Sequence, residues 1–350
     1  MFRRLQAIAL AASACALSFS TYSEGCTDFI INAEDKTQVV GRSLEFGQVL
    51  PTTVIVVPKG KSFQSTAPNN KQGMKWSSKY AYASLNIFDG KIPMDGLNEK
   101  GLSVGALWFP DGKYADVSKA APNTVVAYTD LVSWLLGNFS TVAEVKTALS
   151  KVNLYTFPLP EMGGAIAPLH LAIHDASGKS LVVEFVDGET KIHDNDVGVL
   201  TNSPDFPWHR TNLRNFINLS AIGAKAVSID GTVLQPTGQG SGLLGIPGDW
   251  TPPSRFVRTA IFKQSLQQSK TGSDLVTAAF HMLNTVDIPY GAVRGSQTSD
   301  FDYTQWVVVK DLTNFKLYVR TYGDQNIQTV DLSTAKEPRT IALGPTAPSR

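Results

Sequence analysis

Cys26 and its immediate surroundings hold the residues best suited to nucleophilic chemistry in this chain. A cysteine that becomes the first residue of a mature chain carries a thiol and a free α-amine two carbons away. With an amine pKa of about 7.7 and a thiol pKa of about 8.5, one residue can supply both nucleophile and base. The next candidates lie in Gly41-Arg42-Ser43-Leu44-Glu45, on what reads as the returning strand of a hairpin that starts at Cys26. Antiparallel pairing there brings Arg42 beside the thiol, where a guanidinium lowers the thiol pKa and holds the sulfur. Glu45 is expected to accept a hydrogen bond from the α-amine and aim its lone pair at the thiol. A plain surface ion pair between Arg42 and Glu45 is the competing reading.

The segment ahead of Cys26 fits that role. Met1-Phe2-Arg3-Arg4 is basic, residues 7–19 are apolar but too short to span a bilayer, and small and polar residues follow to Gly25. That order describes a cleaved export leader. Glu24 spoils a cleavage site directly at Cys26, so a cut near Ser18–Ser20 followed by trimming is expected, with 1–25 as leader plus short pro-segment. The mature chain is then periplasmic or secreted. Lipid attachment at Cys15 or Cys26 is the competing use of such a cysteine, and the residues before Cys26 do not favour it. Once Cys15 leaves with the leader, Cys26 is the one remaining thiol in an oxidising compartment, where an unpaired cysteine calls for a reason.

Composition narrows the class. Lys+Arg 31 against Asp+Glu 30 gives a net charge of +1, which points to neither nucleic acid nor an anionic surface, and no second apolar run reaches membrane length. Residues 26–350 form a single domain. Strand patterns are expected at Thr27–Asn32, Thr37–Phe46, Thr53–Val57 and Tyr80–Ile87, with a hairpin from Gly96 to Trp108. Further hairpins run from Leu169 to Leu200, and the tail from Thr304 to Val330 is strand and turn. Helical spacing marks Thr124–Asn138, Val142–Val152, Arg255–Leu266 and Ser273–Leu283. Hairpin blocks interrupted by paired helices predict an α+β layered fold rather than a parallel βαβ one. Gly240-Ser241-Gly242-Leu243-Leu244-Gly245 matches a dinucleotide fingerprint in letters but lacks the strand before and helix after it. His170 and His174 sit on a strand pattern without a catalytic Glu, so no zinc site is expected there.

Five motifs carry a resemblance. Cys26-Thr27, Gly41-Arg42-Ser43, Gly96-Leu97-Asn98-Glu99-Lys100-Gly101-Leu102, Leu200-Thr201-Asn202-Ser203-Pro204, and Gly245-Ile246-Pro247-Gly248-Asp249 leading to Ser254-Arg255-Phe256-Val257-Arg258 follow one another in the order of the choloylglycine hydrolases. The chain resembles that family of bile salt hydrolases and penicillin V acylases, and within it the Gram-negative branch. The resemblance implies an N-terminal nucleophile hydrolase: a four-layer αββα sandwich of two antiparallel sheets flanked by helices, cleaving a linear amide through a Cys26 thioester. It implies Asn202 as an oxyanion-hole donor, Arg255 as a further active-site residue, no metal or organic cofactor, and a homo-oligomer, in kin a tetramer. The chain departs from the family in having Glu45 where Asp is common, and Ala106-Leu107-Trp108 where bile salt hydrolases tend to have Asn. A backbone N–H near Trp108 is expected to replace that contact. Trp108 and Phe46 are expected to wall an acyl pocket suited to a flat aromatic or fatty group. Penicillin V and long-chain N-acyl homoserine lactones are therefore the favoured substrates, with conjugated bile salts next. A non-catalytic exported binding protein is the reading from another class.

Overall fold

The computed structural model describes residues 25–295 and 301–348, so the leader and the Cys15 alternative lie outside the described residues. Two antiparallel sheets stack face to face. The first runs in the order Val199–Leu200, Cys26–Asn32, Gln38–Phe46, Phe301–Asp311, Lys316–Thr321, Gln328–Asp331, with Val293–Arg294 on the long strand. The second runs Glu189–Asp194, Ser180–Val186, Leu169–His174, Ser103–Trp108, Ile92–Asn98, Tyr82–Asn86, Thr53–Val57, Arg339–Ala342. Helices Pro252–Ser265 and Gly272–Asn284 cover the outer face of the first sheet, and Leu131–Asn138 packs on the second. The expected αββα sandwich is what the chain forms.

Strands buried on both faces explain the sequence. Cys26–Asn32 and Gln38–Phe46 are buried almost throughout, so neither shows the alternation of a strand with one face in water. Gly41 of the Gly-Arg-Ser motif is a packing requirement: a Cβ there would meet the Phe29 ring at 2.5 Å. The 96–102 motif also serves structure, since the Asn98 carboxamide accepts from the Lys100 and Leu102 N–H groups and donates to the Leu136 and Phe139 carbonyls. It ties a hairpin of the second sheet to its helix.

Most predicted elements fall within a few residues of the observed ones. The expected helix over 124–138 is the exception, because it begins only at Leu131. The β-branched pair Val125-Val126 instead forms a short strand, Val125–Ala127, parallel to Asn153–Tyr155. Two hairpins outside the main sheets, Ser62–Ala67 with Lys71–Ser77 and Val227–Ile229 with Thr232–Leu234, add to the elements expected from sequence. The glycine-rich 240–245 segment is a loop with a single 3₁₀ turn.

Candidate active site

Cross-strand register assembles the nucleophile's surroundings. Cys26 pairs with Leu44 and Asp28 with Arg42, and partners in a pair share a face. Cys26, Asp28 and Arg42 therefore point together into the space between the sheets. Arg42 Nη2 lies 3.8 Å from the Cys26 sulfur and donates to the Ala106 carbonyl. Its other terminal nitrogen donates to the Met94 carbonyl and, at 3.2 Å, to Asp95. Burial pushes the Cys26 thiol above its ordinary pKa, while Arg42 and the Trp108 backbone N–H pull the other way and Glu45 adds to the rise. The expected Arg42–Cys26 contact and the backbone donor at Trp108 are both present.

Glu45 sits elsewhere. Alternation along the strand turns Ser43 and Glu45 to the opposite face from Arg42 and Leu44, toward the helix that carries Arg255. Its carboxylate accepts from the Thr304 hydroxyl at 2.8 Å, and the Cys26 nitrogen donates instead to Asn202 Oδ1 at 2.8 Å. The expectation that Glu45 receives the hydrogen bond of the Cys26 nitrogen is thus corrected by the parity of the strand. What Glu45 does share with the nucleophile is Gly25, whose carbonyl accepts from the Glu45 backbone N–H.

Burial raises the Glu45 pKa to about 7, against the lowering pull of Arg255. Between 4.5 and about 7 the folded chain keeps a proton that the unfolded chain has released. Stability from this group is therefore full at low pH and falls by roughly 3 kcal/mol as pH rises through that window. Glu45→Gln is expected to gain on wild type in thermal melts between about pH 5 and pH 8. A melting-point difference that stays constant with pH would show that Glu45 is ionised throughout.

Asn202 and Arg255 meet at the same point. Arg255 Nη2 donates to Asn202 Oδ1 at 2.7 Å, Nη1 donates to the Cys26 carbonyl and the Thr27 hydroxyl, and Nε donates to the Trp250 carbonyl. A guanidinium only donates, so the atom facing it must be the carboxamide oxygen. Asn202 Nδ2 consequently faces the Trp108 carbonyl, 2.7 Å away, and still carries a second hydrogen. The last motif explains how Arg255 arrives there. Asp249 accepts from Thr251 and Ser254 at the start of helix Pro252–Ser265, and Arg258 donates to the Pro247 and Asp249 carbonyls.

Two buried histidines that sequence reasoning left without a role pin the Asn202 backbone. His170 Nε2 donates to the Thr201 carbonyl and His209 Nε2 to the Asn202 carbonyl, each at 2.9 Å. Burial lowers the His209 pKa to about 4, so its ring is neutral and Nε2 holds the proton.

Phe46 and Trp108 pack edge to face with centroids 5.8 Å apart, and both wall a cleft that opens at Cys26. Leu50, Met94, Leu131 and Leu159 continue its apolar lining inward. A second, more polar cleft lies on the Gly25 side of Cys26, bordered by Asn202, Trp250 and Arg255. A nucleophile between an apolar and a polar cleft suits an amide whose acyl and amine portions differ in polarity.

Residues 26–337 match the family described as linear amide C-N hydrolases, choloylglycine hydrolase family. The chain belongs to that family. The match begins at Cys26, and the chain is a hydrolase of linear carbon–nitrogen amide bonds with Cys26 as its nucleophile. It is 32% identical over 312 residues to a bile salt hydrolase/transferase of Clostridium perfringens, covering 88% of this chain and 92% of that protein. A crystal structure of a variant of conjugated bile acid hydrolase from Clostridium perfringens superposes with a TM-score of 0.79 at 31% identity, covering 93% of this chain and 99% of the other. Penicillin V acylase of Pectobacterium atrosepticum is more distant, 26% identical over 352 residues, covering 94% of this chain and 87% of that one. Of the relatives named here, the bile salt hydrolase is more similar to the chain than the penicillin V acylase.

Proposed function

We propose that the chain hydrolyses amides of bulky apolar acids, with conjugated bile salts as the leading substrate class. The observation that carries this reading is the apolar cleft whose lining includes Cys26, and the bile salt hydrolase named above supports the choice of acyl group. The α-amine of a trimmed Cys26 takes the thiol proton as sulfur attacks the carbonyl carbon. The second Nδ2 hydrogen of Asn202 and the Trp108 N–H stabilise the oxyanion. The protonated amine then passes its proton to the departing nitrogen, and water attacks the resulting thioester to release the acid. No step in this sequence calls on a metal or organic cofactor.

A second reading, phenoxyacetyl or long-chain acyl amides such as penicillin V and N-acyl homoserine lactones, draws on one detail of the cleft. The hydroxyls of its two tyrosines, Tyr114 and Tyr128, donate to the Ala167 and Phe157 carbonyls and so are engaged within the wall. Steroid hydroxyls would find little there to pair with, whereas a fatty chain needs no partner. Turnover of glycine-conjugated cholate, penicillin V and a long-acyl homoserine lactone is compared on one preparation. The bile amide is expected to show the highest kcat/KM, and cleavage confined to the other two would reverse the ranking.

We also propose export through the 1–25 segment and assembly of the mature chain into a homo-oligomer, by kinship a tetramer. No described helix is long and apolar enough to cross a membrane. The hairpin Val227–Ile229 with Thr232–Leu234 exposes Val227, Ile229, Val233 and Leu234, which supports its use as a face for a second copy. Val227→Lys with Val233→Lys is expected to lower the mass measured by light scattering at unchanged activity per site. An unchanged mass would remove the hairpin from the interface.

A further inference from the structure

Beneath Cys26, ionisable side chains from five strands occupy the space between the sheets. Lys310, on Phe301–Asp311, donates to Asp95 Oδ2 at 2.7 Å, and the same oxygen lies 3.2 Å from Arg42 Nη1. Asp28, two residues from the nucleophile and on the same face, pairs with His174 at 2.6 Å. Asp28, Arg42, Asp95, His174 and Lys310 are all fully buried. Gly105 makes room for them, since a Cβ there would come 2.9 Å from Asp95 Oδ2, 3.4 Å from Arg42 Cδ and 3.5 Å from Asp28 Oδ2.

Such a cluster is a poor way to stabilise a core. Burying charges costs several kcal/mol per ion, and well-packed apolar residues commonly do as well. Around it the two sheets meet through an apolar core. Its position explains what stability does not. Asp95 is bonded by two cations, and its contact with Nη1, beside the Met94 carbonyl on Nη1 and the Ala106 carbonyl on Nη2, fixes the plane of the guanidinium whose Nη2 reaches the sulfur. Lys310 supplies a second positive charge to balance an anion that would otherwise neutralise Arg42.

We propose that Asp95 and Lys310 are positioning residues for the hydrolysis assigned above: together they orient the Arg42 guanidinium and set the charge that the ionising Cys26 sulfur meets. The inference rests on Cys26 being the nucleophile. The charged groups that act on that sulfur directly are Arg42 and Glu45 from the neighbouring strand and Arg255 from the helix. Asp28 from its own strand and Asp95 from the facing sheet act on Arg42, and they are met in turn by His174 of the facing sheet and Lys310 of the long strand. The two signs in the cluster give opposite predictions.

The test follows the rate of Cys26 alkylation by iodoacetamide against pH, which reads thiolate formation without any substrate, alongside kcat/KM for whichever amide is turned over. Asp95→Asn removes a negative charge and is expected to move the alkylation midpoint down by about one pH unit. Lys310→Gln removes a positive charge and is expected to move it up by a similar amount. The double variant is expected to return toward wild type in midpoint, while both single variants lose about tenfold in kcat through a misplaced guanidinium. Asp28→Asn, which removes a negative charge from another strand, is expected to shift the midpoint down as Asp95→Asn does, and replaces it if that variant fails to fold. Shifts in the same direction for Asp95→Asn and Lys310→Gln, or no shift in either, would overturn the proposal. Those outcomes leave the nucleophile's identity intact, because loss of alkylation at Cys26 in the wild-type chain is the separate result that would remove it.

Discussion

A chain that keeps Gly25 joined to Cys26 is expected to hydrolyse amides at least about a thousandfold more slowly than one that begins at Cys26. The reason is in the geometry of the nitrogen. With Gly25 in place, the Cys26 nitrogen is a peptide N–H donated to Asn202 Oδ1, and its lone pair is delocalised into the Gly25 carbonyl, so that nitrogen is not basic. Arg42 lies at the sulfur but cannot accept a proton. Among the described residues near the sulfur, His174 is committed to Asp28, and His170 and His209 to backbone carbonyls. Freed by trimming, the same nitrogen can keep its hydrogen bond to Asn202 and regain a basic lone pair. Intact mass and activity are measured on the same sample across a purification that separates processed from unprocessed chain. Activity is expected to follow the species that starts at Cys26. Full turnover from protein that still carries Gly25 would sink the α-amine mechanism and the need for removal of 1–25 with it.

The two halves of the site differed in how far they could be read from sequence. Arg42 beside Cys26 was legible because a short hairpin fixes register, and register decides which residues face each other. The same rule, applied three residues further along the strand, places Glu45 on the helix side. Nearness along a strand is not nearness in space, because each step turns the side chain to the other face. Asn202 and Arg255 could be assigned only through resemblance, since 176 residues separate Asn202 from its partner at Cys26 and no local pattern spans that gap. Asp95, Lys310 and Asp28 gave a fainter signal. Lys310 ends the apolar run Trp306-Val307-Val308-Val309, and Asp28 stands just before the apolar run Phe29-Ile30-Ile31, positions where a charge needs a partner inside. The partners come from other strands, so the sequence showed the charges and not their pairing. The fold was more legible than the site because hairpins and helices are set by local spacing. The misplaced start of the 131–138 helix arose where β-branched residues preceded it.

Asn202→Asp is expected to damage catalysis more than Asn202→Ala, although it is the closer replacement in shape. Alanine removes the oxyanion donor and the acceptor for the Cys26 nitrogen, for an expected loss of about 10²–10³ in kcat with KM little changed. Aspartate keeps an oxygen toward Arg255, so the guanidinium holds the side chain in its native pose. Its other oxygen then replaces Nδ2 against the Trp108 carbonyl, 2.7 Å away in the native pair, setting two acceptors against each other. The negative charge also lies where the oxyanion must form. Repulsion there raises the barrier beyond mere loss of a donor, by about tenfold or more. Arg255→Met should narrow the gap between the two variants, because it releases the aspartate from the position in which it does harm. Steady-state kinetics on wild type, the two Asn202 variants and each of them combined with Arg255→Met decide the matter. Equal losses for Asp and Ala, or the reverse order, would show that the Asn202 carboxamide packs beside the reacting carbonyl without donating to its oxygen.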